Sequence, residues 1–333
     1  MLSRVADSLY WLGRYVERAE NLARMIEVTR RDALETFLNQ TREDIWKPVV
    51  YATCLGDDLT EEQETSINED PAHYITLAKV NPMSIAACIS LARENARTVR
   101  DQLSEEMWLE LNSIHLYMKS GDAAQAYQLE PEALFRKIIR FSIIFQGLSQ
   151  STIQHDEGWH FSRLGKFIER ADKTSRILDT LTFFEGKPSS FAKMAVLRSC
   201  SGFTAFRSQY RVDTSLRNVA SFLFFSPNFP RSIRFCLRRI DAALLEISGT
   251  QQGTFSNEAE RLTGSTLAML NFTGIDQLLE EGLHERIDDI QKRLNEIGKN
   301  IFENYVLLPS EIRKVIRTEG FHTSQLQQHQ HQQ

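Results

Sequence analysis

The sequence is short of the residues that mark many protein classes. It has four cysteines, at positions 54, 88, 200 and 236. None forms a CxxC pair, so no disulfide framework is expected and reduced thiols fit best. Fifteen glycines and eight prolines are few breaks for so long a chain, and no sustained two-residue alternation marks a sheet. No apolar run approaches the roughly 20 residues that span a bilayer. The opening MLSRVADSLYWLGRYVERAE carries acids and no small-residue cleavage site, so no signal peptide is expected. These absences point to a cytoplasmic protein that does not enter a membrane. A net charge of −5 argues against a nucleic-acid binder. GxSxG, GxxxxGK[ST] and HExxH are all missing, which excludes a nucleophile elbow, a P-loop and a zincin site. Lysine is scarce too, with 11 against 28 arginines. Arginine is the cation suited to bidentate, partly buried contact with carboxylate or phosphate.

What is present is helical pattern. Apolar residues recur three and four apart over about Leu2–Leu38, Pro82–Met118, Glu132–Thr152, Trp159–Phe184 and Asp276–Val306. Pro71, Pro82, Pro131, Pro188, Pro230 and Pro309 stand where helices should begin or end. The acidic stretch DDLTEEQETSINEDP (Asp57–Pro71) reads as an exposed loop with at most a short helical turn. The Gln/His-rich tail, residues 318–333, is expected to be disordered.

One sentence is written twice. LGRYVERAENLARMI (Leu12–Ile26) returns as LGKFIERADKTSRIL (Leu164–Leu178), 152 residues later. PMSIAACISLA, from Pro82, returns as PRSIRFCLRRI, from Pro230, 148 residues later. Two matches in order at nearly one offset predict two helical repeats of about 150 residues. The expected division is 1–130 for the first and 131–317 for the second, with one shared core. Cys88 then corresponds to Cys236, and both read as packing residues.

On a helical wheel, Glu17, Glu20, Arg24 and Glu27 share one sector, as do Glu169, Asp172, Arg176 and Asp179. A solvated face laced by i,i+4 pairs is the plain reading of either stripe. Repetition favours a buried polar seam instead. Each stripe has three acids for one arginine, so burial requires cations from elsewhere. Arg93, Arg97 and Arg100 share one helix face, and Arg231, Arg234 and Arg238 another. Arg207, Tyr210 and Arg211 form a third cluster. With Arg18 and Arg170 these complete the candidate seam.

SLYWLGRYVERAENLARMIEV, ARENARTVRDQLSEEMWLELN, GWHFSRLGKFIERAD and FPRSIRFCL together resemble the alpha-E family, over nearly the whole chain to about residue 317. The resemblance implies an all-helical bacterial protein with Glu and Arg in ERA-type motifs, here Glu17, Arg18, Glu20, Glu169 and Arg170. It also implies partnership with circularly permuted ATP-grasp proteins and transglutaminase-like proteins, and so a part in peptide or amide-bond metabolism. One departure is visible. An arginine is expected shortly before the GW-type segment, and this chain has QHDEGW with His155.

Glu157–His160 and Glu281–His284 both fit ExxH, the spacing of helical two-metal sites. About one such pair is expected by chance, and both contain a glycine, so no metal and no cofactor are expected. Trp108 and Asn112 read as packing and helix-bridging residues, Tyr10 and Trp11 as packing, and His160 as a core or capping histidine. Three readings of function remain. The first is an accessory or substrate-binding subunit of the ligase, its Arg/Glu seam holding a small peptide or other anionic ligand. The second is a stand-alone amide- or peptide-bond-modifying enzyme with Glu17 or Glu169 as acid/base. The third is a structural assembly protein.

Overall fold

The computed structural model describes residues 1–36, 42–53, 59–183 and 187–307. Among these every regular element is helical and no strand occurs. The chain opens with α1 (Ser3–Thr36), α2 (Arg42–Ala52), α3 (Glu61–Glu69), α4 (Pro71–Thr76) and α5 (Ile85–Thr98). There follow α6 (Glu105–Lys119), α7 (Gly121–Leu129), α8 (Pro131–Ser151) and α9 (Glu157–Asp179). The remainder is α10 (Ser190–Ser199), α11 (Phe203–Tyr210), α12 (Leu216–Phe225), α13 (Ile233–Ser248), α14 (Glu258–Phe272), α15 (Ile275–Glu280) and α16 (Leu283–Ile301). The all-α class read from the sequence is the observed one. Among the described residues no helix is long and apolar enough to cross a membrane.

Two helices make the centre. α1 and α9 lie side by side and parallel. The Met1 amino group meets Glu157 near their N-termini, and Glu17 meets Arg170 further along. Their backbones touch at two glycines. A Cβ on Gly13 would collide with the Ser162 carbonyl, and one on Gly165 with the Tyr10 carbonyl. Only a residue without Cβ permits that approach. α5 and α8 pack on α1, while α13 and α16 pack on α9. The buried apolar side chains form one continuous cluster through these helices. Leu12, Ile26, Leu164 and Ile240 are fully enclosed, and each such burial contributes about 1.5–3 kcal/mol.

α5 and α13 begin alike. The Ser84 hydroxyl accepts the Ala87 N–H, and the Ser232 hydroxyl accepts the Phe235 N–H. Cys88 and Cys236, one turn further, are fully buried. Burial pushes both thiols up to about 12, which disfavours the thiolate, and both sit within the apolar core.

Several boundaries differ from the sequence reading. Glu61–Glu69 is a helix, because Thr60 and Gln63 form a reciprocal capping box and three acids occupy its first turn. The Pro82–Met118 stretch divides at a 3₁₀ turn, Arg100–Gln102, after which Ser104 caps a new helix. The Asp276–Val306 stretch breaks at Gly282, whose φ of 97° suits glycine alone. Pro71 and Pro131 each occupy the first turn of a helix, as expected. Cys54, Pro309 and the Gln/His-rich tail lie outside the described residues.

Candidate functional site

The repeated ER segments meet face to face. Glu17 is fully buried. The Arg170 guanidinium grips it with two parallel bonds, Nε to Oε1 at 2.8 Å and Nη2 to Oε2 at 2.7 Å. Glu169, equally buried, is gripped by Arg18, Nε to Oε1 at 2.5 Å and Nη2 to Oε2 at 2.9 Å. Each glutamate is thus held by the arginine of the other ER pair. Parallel helices in register, in contact at Gly13 and Gly165, bring these groups within reach.

Each carboxylate has a second cation. Arg231 donates to Glu17 Oε1 at 3.0 Å and also to Glu20 and Asn21. Arg14 donates to Glu169 Oε2 at 2.9 Å. Glu20 further accepts from Arg24, from Ser142 at 2.7 Å and from Gln146 at 3.0 Å. Asp172 pairs with Arg176 at 3.1 Å and Lys173 at 3.5 Å. Burial alone would raise the Glu17 pKa, but the Arg170 and Arg231 charges outweigh it and hold it at about 2. Burial likewise opposes ionisation of Glu169, and Arg18 and Arg14 hold its pKa well below the usual range. Both stay ionised at neutral pH.

The seam is buried, as the repetition suggested, and cations from outside the two stripes reach it. Among these pairs four carboxylates (Glu17, Glu20, Glu169, Asp172) face seven cations (Arg14, Arg18, Arg24, Arg170, Lys173, Arg176, Arg231). Of the arginine clusters read as its counter-ions, only Arg231 reaches it. Arg231 precedes the Ser232 cap, so it turns inward before the helix begins. Arg93 and Arg97 pair with Glu94, and Arg100 lies over the Trp108 ring. The buried side of α5 is already filled by Ile85, Cys88, Ile89, Ala92 and Ala96. Arg234 bonds Asn271 at 2.8 Å, and Arg238 bonds the Pro227 carbonyl. Arg207 lies over Phe203, Tyr210 stacks on Phe206, and Arg211 ends α11 at the surface.

Sequence reading missed Arg14, Asn21, Gln146 and Lys173. The signal for Arg14 was present, since it lies one turn before Arg18 and both reach the same carboxylate. Trp108 and Asn112 do pack and bridge helices, through Arg93. His155 stacks on Trp159 with centroids 3.7 Å apart. The ExxH pairs do not converge on Glu17 and Glu169. Glu157 holds the Met1 amino group, and His284 lies 2.8 Å from Asp179 in a separate group with Asp288.

Beside the seam is a cavity of about 360 Å³, bordered by Gln146, Trp159, Arg163, Lys166, Arg170 and Arg239. Among the described residues no carboxylate lines it. Arg163 stacks over the Trp159 ring at 4.2 Å, and Arg239 over Phe235 at 4.9 Å. Burial and the neighbouring Arg170 push the Lys166 amine down to about 8. Burial and Arg239 push Arg163 down to about 10. Such a site favours a bound anion.

A family described as a predicted alpha-helical domain with a conserved ER motif, Alpha-E, matches residues 1–306. Uncharacterised proteins of Mycobacterium bovis and Mycobacterium tuberculosis are each 25% identical over 309 residues, covering 86% of this chain and 34% of their own. The chain thus spans about a third of the length of the curated relatives it matches. No solved structure matches.

Proposed function

The chain belongs to the Alpha-E family, and from that premise we propose that it is an accessory, substrate-binding subunit. It acts in the cytoplasm beside a circularly permuted ATP-grasp ligase and transglutaminase-like proteins, in peptide or amide-bond metabolism. The ER exchange is its internal lock, and the anionic group it holds sits in the adjoining cavity. The observation that carries this reading is a cavity lined, among the described residues, by four cations and no acid. One of the four, Arg170, is engaged by the seam, while Arg163, Lys166 and Arg239 are not. A carboxylate with a pKa of about 2, whose two oxygens both accept bonds from arginine, is a weak general base and holds no proton at neutral pH. That weakens the stand-alone enzyme reading for Glu17, and the grip of Arg18 and Arg14 weakens it in the same way for Glu169.

The same premise supports two related halves, 1–130 and 131–317, that arose by duplication. Gly13 and Gly165, the exchanged ER pairs, and the Ser84 and Ser232 caps are the supporting correspondences. The test is an amide-forming assay with the ATP-grasp partner, with and without this chain. The reading predicts that turnover requires both proteins. Turnover by this chain alone, or ligase activity indifferent to it, contradicts the reading.

A further inference from the structure

Residues 152 apart in α1 and α9 play matching parts, and one exchange of partners breaks the match. Arg14 pairs with Glu169. The residue 152 later is Lys166, which on the same pattern would pair with Glu17. Arg231 occupies that place instead, 3.0 Å from Glu17. The residue 148 before Arg231 is Met83, which meets Arg18 through its sulfur and brings no charge. Lys166 is thereby released to line the cavity. Two further substitutions act in the same direction. Arg163 stands where α1 has Trp11, and Arg239 where α5 has Leu91. Among the described residues none of the three cations forms a direct ion pair, and the Glu17 and Glu20 charges act on Lys166 only from further off.

The matching cavity on the other side makes the contrast. It measures about 380 Å³ and is lined by Asp7, Tyr10, Trp11, Arg14, Asp172 and Lys299, among others. That one carries its own carboxylates, and among the described residues the cavity around Lys166 carries none. A partly buried, unpaired cation opposes folding unless a counter-charge arrives. One carboxylate would offset one charge and leave two. A phosphate dianion or diphosphate offsets two or three, and arginine forks match phosphate oxygens. The walls offered by Trp159, Phe145 and Phe235 suit an apolar or aromatic body beside the charge.

We propose that the cavity between α8, α9 and α13 binds the phosphate or diphosphate group of a small molecule, with Arg163, Lys166 and Arg239 as its ligands. The proposal rests on the substrate-binding reading for its purpose, and on the cavity alone for its chemistry.

The test is calorimetric titration of the whole chain, without any ligase, against inorganic phosphate, diphosphate, ADP and, as a carboxylate control, triglutamate. Diphosphate or ADP should bind one to one. Preference for ADP would identify a nucleotide as the source, and equal affinity would identify the phosphate group alone. Lys166→Met and Arg163→Gln should each weaken binding about ten- to hundredfold, while Arg97→Gln should not. Thermal melts check folding, and Lys166→Met should melt no lower than wild type. Binding of triglutamate but of no phosphate overturns the phosphate assignment and leaves the accessory reading standing. Binding of none of the probes, or equal binding by wild type and both variants, overturns the site. Phosphate binding with a ligase indifferent to this chain would instead remove the accessory reading alone.

Discussion

At the scale of single residues, the account turns on charges that are buried and paired and on one that is half-buried and unpaired. Glu17→Gln leaves Arg170 and Arg231 under-compensated and should lose about 3 kcal/mol or more. The exposed control Glu64→Gln should lose almost nothing in the same denaturant titration. Glu17 has a folded pKa of about 2 against an ordinary 4.5. Its contribution is therefore complete above 4.5 and lost as pH falls toward 2. The gap between wild type and Glu17→Gln should narrow over that window. Lys166 has the opposite sign, with a folded pKa of about 8 against 10.5. The unfolded chain binds the extra proton between those values, so the penalty is full below 8 and gone above 10.5. Lys166→Met should raise stability by about 1–3 kcal/mol at pH 7, with the gain fading in that alkaline window. A loss of stability at pH 7 would mean that Lys166 is paired after all. Glu17, Arg18, Glu169 and Arg170 were legible because they are written twice. Lys166 was not, because its role comes from what Arg231 displaces, and Arg231 lies 65 positions further along the chain.

At the scale of helices, the sequence told which segments are helical far better than where they stop. Periodicity located α1, α8 and α9 to within a few residues, since a long apolar stripe outweighs local noise. The breaks at Gly282 and at Arg100–Gln102, and the helix after Thr60, depend on short-range capping and backbone freedom that hydrophobic spacing does not register. The contact between α1 and α9 was also hidden. Gly13 and Gly165 were visible as repeated letters, but their purpose is clear only when the facing carbonyls of Ser162 and Tyr10 are in place. Gly13→Ala and Gly165→Ala should each lose about 2 kcal/mol or more, because a backbone carbonyl cannot step aside as a side chain can. The check is a urea midpoint, with circular dichroism showing unchanged helix content in the folded variants. A midpoint equal to wild type would mean the helices are not in backbone contact there.

At the scale of the whole molecule, two central helices are locked by exchanged ion pairs, and the departure from their symmetry leaves one cavity cationic. The all-α class was legible from the helical spacing of apolar residues, and the family from four ordered motifs. The cavity was not, because its cations come from two helices separated in sequence and only packing brings them to one place. A buried bidentate pair between the central helices must show coupling, since each partner's loss strands the other. The most direct measurement is a double-mutant cycle with Glu17→Gln, Arg170→Met and both together, read by denaturant unfolding. The predicted result is a coupling of about 1.5 kcal/mol or more, the double variant losing much less than the sum of the single losses. Strictly additive losses would contradict the exchange of ER partners between α1 and α9.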